Sequence, residues 1–434
     1  MKVRIIGGGL SGCECAYQLL KRGYEVDLYE MRPVCSTPAH KTQKLCELVC
    51  SNSLKSVDVS TSQGALKGEM ELLDSLVLRS AKKCSVPAGG ALAVDREKFS
   101  GEVEKTLFAF PKLNLKREEC TEIVDWTVIA AGPLASKGLT DSLEECFGAE
   151  YMRFYDAVAP IIDASSIDYN HAFFAGRYGK GGEDYLNLPL DRDEYYTFVE
   201  ELKNAEKVIL RDFEKGDVFE ACMPVEIMAQ RGDDTLRFGP LRPVGLTDPQ
   251  TGKRPFAVVQ MRKEDAEGKL YNLVGFQTNL KFSEQKRVFG LIPALKNADY
   301  VRYGVMHRNT FINAPILLSE DFSLKTNEKV FFAGQISGVE GYMESTMSGL
   351  MCAINVDRKI KGAEPIIPPE TTMFGALMRY VTAPNADFQP MHVSFSLVPS
   401  IEGIRDKKKR KEEYGKRAVS EMKRFAEKLQ KGEL

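Results

Sequence analysis

The apolar and polar positions at the start of the chain predict a βαβ unit. Residues 2 to 6 (KVRII) form an apolar run typical of a buried strand, and residues 13 to 22 have helical spacing. Residues 25 to 29 predict a second strand, and a glycine-rich turn separates the first strand from the helix. Two parallel strands joined by a helix indicate an α/β fold.

The pattern changes twice along the rest of the chain. Helices are predicted over residues 65 to 82 and 95 to 108, and TVIAAGP (127 to 133) predicts a buried strand ended by Gly-Pro. Short alternating strands follow from about residue 156, among them 256 to 262 and 271 to 277, before KVFFAG (329 to 334) returns to the buried parallel type.

This change predicts a Rossmann-like nucleotide-binding domain that is interrupted by an inserted α+β domain. We place the discontinuous domain at residues 1–155 and 300–400 and the inserted, substrate-side domain at 156–299. A charged segment at 401–434 predicts a basic C-terminal helix, for which a solvated face is the ordinary explanation.

Composition and charge place the chain among ordinary globular proteins. At 434 residues it exceeds the usual size of one hydrophobic core, and 43% apolar with 28% charged residues is a globular balance. Its net charge of -2 does not indicate a nucleic-acid partner. No apolar run is long enough to span a membrane, and MKVRIIGGG predicts a strand and turn rather than a signal peptide, so we expect a cytoplasmic protein.

The cysteines indicate neither a metal site nor a disulfide framework. There are ten, but no C-x-x-C pair occurs, so a zinc site is not expected. In a reducing compartment each thiol is then either a small buried hydrophobe or a reactive group.

The glycine-rich turn matches the G-x-G-x-x-G pattern of dinucleotide-binding folds. It follows an apolar strand, opens a helix, and precedes an acidic residue, Glu30, at the end of the second strand. The turn supplies free N–H groups at a helix start for a pyrophosphate, and Glu30 can accept hydrogen bonds from a ribose diol while repelling a 2′-phosphate. FAD or NAD is therefore favoured over NADP; the turn residues are Gly7, Gly8, Gly9, Leu10, Ser11 and Gly12.

The far end of the chain favours FAD over NAD. Residues 334 to 353 (GQISGVEGYMESTMSGLMCA) predict a glycine turn followed by a helix whose start can face the flavin. The turn glycines are Gly334, Gly338 and Gly341. There is no second G-x-G-x-x-G, so a nicotinamide reductant would visit rather than reside.

At this point the sequence resembles a known family, the folate- and FAD-dependent tRNA uracil-5-methyltransferases, which are related to the larger flavoproteins that modify the wobble uridine. The resemblance runs over almost the whole chain. It rests on GGGLSG (7 to 12), YEMRP (29 to 33), TPAH (37 to 40), ELVCSNSLKS (47 to 56), VPAGGALAVDR (86 to 96), YLN (185 to 187), FEACMPVE (219 to 226), FGPLRPVGL (238 to 246), VGFQTNLK (274 to 281), VRYGVMHRNTFINAP (301 to 315), AGQISGVEGYMES (333 to 345) and FQPM (388 to 391).

The resemblance implies a fold, a reaction and partners. The fold is an FAD-binding domain of the glutathione-reductase type with an insertion, and Arg32 joins the expected cofactor-binding residues. The implied substrate is the T-loop uridine at tRNA position 54, the carbon donor is 5,10-methylenetetrahydrofolate, and NAD(P)H is the reductant. Leu188 stands where the family pattern leads us to expect a cysteine, so that position is not expected to take part in the chemistry.

Two cysteines are candidates for the chemistry. A thiolate that adds to uracil C6 turns the ring into a nucleophile at C5, and the resemblance assigns this role to Cys222 in FEACMPVE. It assigns removal of the C5 proton to Cys50 in VCSNS, although the residues alone leave the division of the two roles open. In the family, N5 of the reduced flavin carries the methylene from folate to the base.

Polar residues near these cysteines have further candidate roles. Ser51, Asn52 and Ser53 could orient Cys50 or bind flavin, and their ordinary explanation is an N-cap cluster that starts a helix. The resemblance gives His307 a stacking role on the pterin or flavin; Arg308 and Asn309 could bind a glutamyl carboxylate or ring edges.

RNA binding requires basic residues to be grouped, because the net charge is slightly negative. One candidate group is the run Lys407, Lys408, Lys409, Arg410 and Lys411 with Lys416 and Arg417, and the other is Arg237 with Arg242. The target uridine must also be extruded from its loop.

Three other functions remain open from the residues. The nearest is a flavin-dependent enzyme that methylates ribosomal RNA or modifies the wobble uridine, although the latter would have a longer C-terminal helical extension. The second is a flavin oxidoreductase of a small molecule, in which both cysteines are packing residues and turnover needs no RNA. The third is an RNA-binding protein that holds FAD only structurally and shows no folate-dependent transfer.

Overall fold

The computed structural model describes residues 1–37, 39–148, 151–179, 182–208, 223–263, 268–385, 388 and 390–434; of residues 151–158, 305–309 and 407 it describes the backbone. The helices, in chain order, are α1 Leu10–Lys21, α2 Ser62–Leu72, α3 Leu76–Lys83, α4 Arg96–Phe108, α5 Lys137–Phe147, α6 Arg192–Asn204, α7 Val225–Gln230, α8 Thr235–Phe238, α9 Phe282–Phe289, α10 Ala314–Leu317, α11 Tyr342–Ile360, α12 Met373–Thr382 and α13 Lys407–Lys431.

The strands share the same chain order. They are β1 Lys2–Ile6, β2 Glu25–Tyr29, β3 Ser53–Ser56, β4 Ser85–Val86, β5 Ala91–Val94, β6 Leu113–Lys116, β7 Thr127–Ile129, β8 Tyr151–Val158, β9 Ile161–Asp163, β10 Phe173–Phe174, β11 Tyr185–Leu190, β12 Ala257–Lys263, β13 Leu270–Leu273, β14 Tyr300–Arg302, β15 Val305–Ile312, β16 Ser323–Leu324 and β17 Asn327–Phe332.

A mostly parallel sheet forms the centre of the first domain. Its strand order is β16-β17-β7-β1-β2-β6, in which β1 pairs in parallel with both β2 and β7, and β16 pairs antiparallel at the edge. Strands from both ends of the chain are thus neighbours, because β17 pairs with β7. The chain continues from β1 to β2 on one side and later places β7 on the other side of β1. Sheets of this kind bind ligands at such a point, at the carboxyl ends of the strands.

Glycine residues allow helices α1 and α11 of this domain to come into close contact. A Cβ atom at Gly349 of α11 would lie 2.1 Å from the carbonyl oxygen of Ser11 in α1. A Cβ at Gly12 would lie 1.9 Å from the carbonyl oxygen of Gly7, so Gly12 lets α1 close against the turn. Gly12, the last glycine of the turn, therefore allows the close helix packing for which dinucleotide-binding folds use a glycine at this position.

The helix predicted over residues 65 to 82 is two helices. α2 ends at Leu72, Asp74 has a left-handed φ of 55°, and α3 begins after Ser75, whose side chain caps it. The buried carboxylate of Glu14 on α1 accepts hydrogen bonds from the Ser75 hydroxyl and from the backbone N–H groups of Leu76 and Val77. This contact from a distant helix fixes the break between α2 and α3. The periodicity of residues 65 to 82 alone does not predict it.

The inserted domain is built on an antiparallel sheet. Its order is β10-β11-β12-β13-β9-β14, and a separate core of buried side chains from Ile162 to Ala298 packs on it. The strand predicted over residues 271 to 277 is shorter, because β13 ends at Leu273 and a turn with Gly275 at φ 79° follows. Leu188 is fully buried in β11.

A two-stranded antiparallel ribbon connects the two domains. β8 leads into the insertion and β15 leads back, with a register that runs from Val305 opposite Val158 to Ile312 opposite Tyr151. The limits predicted at residues 155 and 300 do not coincide with its ends, since residue 155 lies within β8 and β14, which starts at Tyr300, still pairs with β9.

The C-terminal helix α13 packs against the first domain. Ala418 and Met422 are buried in its core, and a Cβ at Gly415 would lie 1.9 Å from the carbonyl oxygen of Val59, so helix and loop are in close contact. Among the described residues, no helix is both long and apolar enough to cross a membrane.

Candidate functional site

One cleft lies at the carboxyl ends of β1, β2, β7 and β17. Of the residues predicted to bind the cofactor or to act in catalysis, those that line it are Gly7, Gly8, Gly9, Leu10, Ser11, Glu30, Arg32, Cys50, Gly334 and Gly341. Gly12 and Gly338 do not line it: Gly12 packs against Gly7, and a Cβ at Gly338 would lie 2.5 Å from the ring of Phe388.

The start of α1 fits a phosphate group. Gly9 precedes the helix, no side chain caps it, and the first turn carries no acidic residue. A Cβ at Gly9 would have no neighbour within 4 Å, and the buried Oγ of Ser11 has no hydrogen-bond partner within the described part of the chain. Uncapped N–H groups and an unpartnered hydroxyl at one cleft wall suit the pyrophosphate of a dinucleotide.

Glu30 is held in place by two neighbours. Its Oε2 atom accepts from the backbone N–H of Gly8 at 3.1 Å, and its Oε1 atom accepts from the Arg32 backbone and Nε at 3.0 and 2.8 Å. Burial alone would raise the pKa of Glu30, but the hydrogen bond and charge of Arg32 outweigh it and lower that pKa. A carboxylate offers about four lone-pair directions, so three donors leave about one for a ribose hydroxyl.

Arg32 links this carboxylate to a second one. Its Nη1 atom lies 2.6 Å from Oε2 of Glu47, and both side chains are almost fully buried. His40 also lines the cleft, and burial, together with the charge of Arg32, lowers its pKa, which favours the neutral imidazole. His40 and Glu47 lie in the sequence motifs TPAH and ELVCSNSLKS, but only the fold places them near Glu30.

The segment around Cys50 is fixed through its backbone. The hydroxyl of Tyr342, the first residue of α11, accepts from the N–H groups of Cys50 and Ser51 at 2.8 and 3.2 Å. The Cys50 carbonyl accepts from Arg96 at 2.9 Å and from Arg302 at 3.2 Å. Burial raises the pKa of the Tyr342 phenol, so the hydroxyl keeps its proton at neutral pH.

The residues after Cys50 do not start a helix, which corrects the N-cap interpretation of the Ser-Asn-Ser cluster. The chain continues into β3 instead. Asn52 is fully buried; its Oδ1 accepts from Nε of Arg262 on β12, and its Nδ2 donates to the carbonyl of Lys263. Ser51 accepts from Arg262 at 2.8 Å. The cluster therefore fastens the first domain to the inserted sheet beside the cleft.

Cys222 lies outside the described residues, but the residues that flank its segment are described. Val208 donates to the carbonyl of Asn279 at 2.9 Å, and Val225 donates to the carbonyl of Gln277 at 2.8 Å. Gln277 itself lines the cleft. Val208 and Val225, which stand before and after residues 209–222 in the sequence, are therefore both held by one short stretch, residues 277–280, whose Gln277 lies at the cleft wall.

The remaining predicted residues lie on other elements. His307, Arg308 and Asn309 belong to β15 of the ribbon, where His307 is opposite Asp156, and their side chains are outside the described part of the structure. Arg237 bonds to Asp234 and to the Phe256 carbonyl in the inserted domain, and Arg242 is exposed.

The predicted RNA contacts stand at the first turn of α13. Lys408 and Lys409 are exposed there, Arg410 is half-buried, and the side chain of Lys407 lies outside the description. Asp406 caps this helix through a hydrogen bond from the backbone N–H of Lys409 at 2.7 Å. Cations at a helix N-terminus oppose its dipole, so their placement is not explained by helix stability.

The sequence did not single out several residues that line the cleft or bond the segment of Cys50 and Ser51, namely Tyr342, Arg96, Arg302, Arg262 and Gln277. All except Arg262, which lies in a predicted strand, belong to a quoted motif, for example Tyr342 to VEGYMES and Arg302 to VRYGVMH. Their contacts join positions as far apart as Cys50 and Tyr342, so the motifs contained the signal but not the pairing. Within the described residues, no cluster of three or more His, Cys, Asp or Glu side chains could hold a metal ion.

The comparison with protein families and curated proteins gives one consistent result. Residues 2–364 match the family model described as glucose inhibited division protein A. The methylenetetrahydrofolate-tRNA-(uracil-5-)-methyltransferase TrmFO of Natranaerobius thermophilus is 53% identical over 430 residues, with 98% of this chain and 99% of that protein covered. The protein of the same name from Persephonella marina is 51% identical over 429 residues, with 98% of each chain covered.

Solved structures support the fold. The Aquifex aeolicus GidA structure in its form II crystal matches with a TM-score of 0.72 at 15% identity, and covers 99% of this chain and 73% of that one. The form I crystal of the same protein matches with a TM-score of 0.70. The predicted α/β fold class is confirmed.

Proposed function

This chain belongs to the methylenetetrahydrofolate-tRNA-(uracil-5-)-methyltransferases within the glucose inhibited division protein A family, and we propose that its cleft methylates C5 of the T-loop uridine at tRNA position 54. NAD(P)H is the proposed reductant. The observation that carries the proposal is that one cleft is bordered by the nucleotide-binding turn, by Cys50, and by Gln277, whose carbonyl accepts from Val225, three residues after Cys222 in the sequence.

The residues of the cleft fit FAD. The uncapped start of α1 and the Ser11 hydroxyl would hold the pyrophosphate, and Glu30, fixed by Arg32, would take a ribose hydroxyl. The start of α11, at Gly341 and Tyr342, borders the same cleft. When bound and reduced, FAD supplies the electrons and the nucleophilic nitrogen that the transfer of a one-carbon unit from folate requires.

The two cysteines have different roles in the substitution at uracil C5. The Cys222 thiolate adds to C6, which makes C5 nucleophilic, and a new bond then forms from C5 to the donated carbon. Cys50 removes the proton from C5, and the bond from the donated carbon to its carrier nitrogen breaks. A hydride, which the reductant NAD(P)H would supply, converts that carbon to a methyl group as the thiolate leaves C6 and the ring is restored. The three backbone contacts that hold Cys50 support this role, because a proton acceptor must be aligned with the atom it serves.

Two further groups complete the proposed site. His307 would stack on the pterin or flavin, and Arg308 and Asn309 follow it on β15. The cations at the start of α13 contact tRNA phosphates. Their position against the helix dipole supports this role, as does the contact of Gly415 with Val59 in the loop that follows the cleft residue Lys55.

Methyl transfer tests the assignment directly. Labelled methylenetetrahydrofolate and NADPH are supplied with unmodified tRNA, and products are mapped by nucleoside analysis for the wild type, Cys222→Ala, Cys50→Ala and Cys146→Ala. Cys146 is exposed and lies outside the cleft, so its variant is the matched control.

Label in T-loop 5-methyluridine that is lost in the first two variants and kept in the third would support the proposal. Transfer only to ribosomal RNA would replace the substrate. Flavin turnover without any RNA product would show a small-molecule oxidoreductase.

The α13 contact is tested by salt dependence. Replacing Lys408 and Lys409 together by Glu should weaken tRNA binding and reduce the slope of log affinity against log salt by about 2. The exposed Lys423 and Lys428, near the far end of the same helix, give the control double variant. Equal slopes for both double variants would remove α13 from the RNA contact.

A further inference from the structure

Three aromatic rings form a parallel column on the inserted domain. The ring centroids of Phe282 and Tyr303 are 4.7 Å apart with an interplanar angle of 14°, and those of Tyr303 and Tyr300 are 4.9 Å apart at 3°. Rings in the core of this domain meet differently; Phe276 and Phe289, for example, are edge to face at 76°. The column therefore has the geometry of stacked bases rather than that of ordinary core packing.

The column is braced at one end and open at the other. The Tyr300 hydroxyl donates to the carbonyl of Gln285, whose side chain bonds both the N–H and the carbonyl of Gly304. Phe282 at the other end is 52% exposed. The half-exposed ring of Phe282 contributes little to folding stability, because much of its apolar surface stays in water. The rest of the column is held in place by its neighbours.

The column stands next to the anchors of both proposed catalytic cysteines. Phe282 lies two residues after the stretch 277–280, which holds Val208 and Val225, the residues before and after the sequence segment that contains Cys222. Between Tyr300 and Tyr303 lies Arg302, which donates to the carbonyl of Cys50. Two exposed lysines are near Phe282. Lys281 is the residue before α9, and Lys286 lies one turn after Phe282 in that helix.

We propose that Phe282 is the open end of a stacking platform on which an unpaired base of the RNA substrate lies. This inference rests on the proposed function, since it gives that site a contact for the RNA. A base extruded from its loop leaves neighbouring bases unstacked, and an aromatic face recovers that stacking for any base. The exposed Lys286, one turn along α9 from Phe282, suits the phosphates of a nucleic acid strand, whereas Lys281 is ion-paired with Glu206.

The test uses variants that separate the ring face from apolar surface. Phe282→Ala and Phe282→Leu remove the aromatic face, and Phe282→Trp keeps it. Phe108 on α4 is the matched control, because it is also a phenylalanine that is 52% exposed, on the other domain. The dissociation constant of unmodified tRNA transcript and the KM values for tRNA and methylenetetrahydrofolate are measured, with flavin absorbance and thermal unfolding as checks on folding.

We expect the Ala and Leu variants to raise the tRNA dissociation constant about tenfold, and the Trp variant and Phe108→Ala to match the wild type. Unchanged tRNA binding in Phe282→Ala and Phe282→Leu, with methyl transfer intact in the wild type, would overturn the platform while the proposed function stands. A rise in the KM for folate alone would also overturn it, since the column would then serve folate. Wild-type protein that binds tRNA through Phe282 but transfers no methyl group would refute the proposed function and keep the platform.

Discussion

The starts of α1 and α11 border the same cleft, yet the protein uses them differently. Both follow a glycine that has no side-chain cap. At α1 the N–H groups and the Ser11 hydroxyl are left without protein partners among the described side chains, and the turn has no acidic residue. At α11 the first turn carries Glu344, which accepts from the backbone of Val393, and Tyr342, which holds the Cys50 segment.

The difference shows two uses of one helix geometry. A helix start with open donors can bind a charged group that arrives from solution. A helix start whose side chains are already bonded to the protein instead positions another segment with the rigidity of a long helix. We expect variants at α1 to change cofactor binding, and variants at α11 to change the rate at constant cofactor content.

The largest effect is expected at Gly12. In Gly12→Ala the new methyl group would lie 1.9 Å from the carbonyl oxygen of Gly7, so the turn cannot close on α1. We expect loss of bound flavin, measured by absorbance, and destabilisation of about 1–3 kcal/mol or more. Gly101→Ala in α4 is the control, because its Cβ would have no neighbour within 4 Å. Normal flavin content in Gly12→Ala would show that this turn does not hold the cofactor.

The next effect should separate α11 from α1. Tyr342→Phe removes the acceptor of the Cys50 and Ser51 N–H groups, and an unsatisfied N–H costs about 1–3 kcal/mol. We expect kcat to fall about 10- to 100-fold while flavin content stays at the wild-type value. Tyr24→Phe is the control, since its hydroxyl bonds Asp357 near the other end of α11. Loss of flavin in proportion to activity would mean that both helix starts bind the cofactor.

Ser11→Ala should have a smaller and more diagnostic effect. The variant removes a buried hydroxyl that has no partner among the described residues, so the stability of the apoprotein should stay equal or rise, whereas the FAD dissociation constant should rise about tenfold. Thr127→Val removes a second buried hydroxyl that, in the same described part of the chain, has no partner and does not line the cleft, and it should leave FAD binding unchanged. Equal FAD affinities in the two variants would contradict a phosphate contact at Ser11.

The effect that bears least on activity concerns stability, through the charge of Lys67 near Glu344. Burial lowers the pKa of Lys67 to about 8, whereas an unfolded lysine titrates near about 10.4. Between these values the unfolded chain binds more protons than the folded one, so stability should rise with pH across this window, by at most about 3 kcal/mol. Denaturant unfolding should show this rise in the wild type and in the exposed control Lys82→Met, but not in Lys67→Met. A rise in all three proteins would assign it to other groups.

The local sequence pattern was enough to predict the elements whose ends depend on neighbouring residues. β1 and β2 occur where the apolar runs predicted them, and α4 begins after the capping residue Asp95. The break between α2 and α3 depends on Glu14, and the course of Ser51 to Ser53 depends on Arg262, so neither could be seen locally. The same holds for the site: the turn residues and Glu30 follow from spacing, but the bond from Cys50 to Tyr342 exists only in the folded chain.

The ribbon of β8 and β15 has a consequence for how such a protein can be altered. Because the strands that enter and leave the inserted domain are paired side by side, the insertion begins and ends at one place on the first domain. A genetic exchange at this place can replace the whole inserted unit without moving the rest of the chain. New substrate surfaces can thus be joined to one flavin-binding scaffold by recombination across this one pair of neighbouring strands.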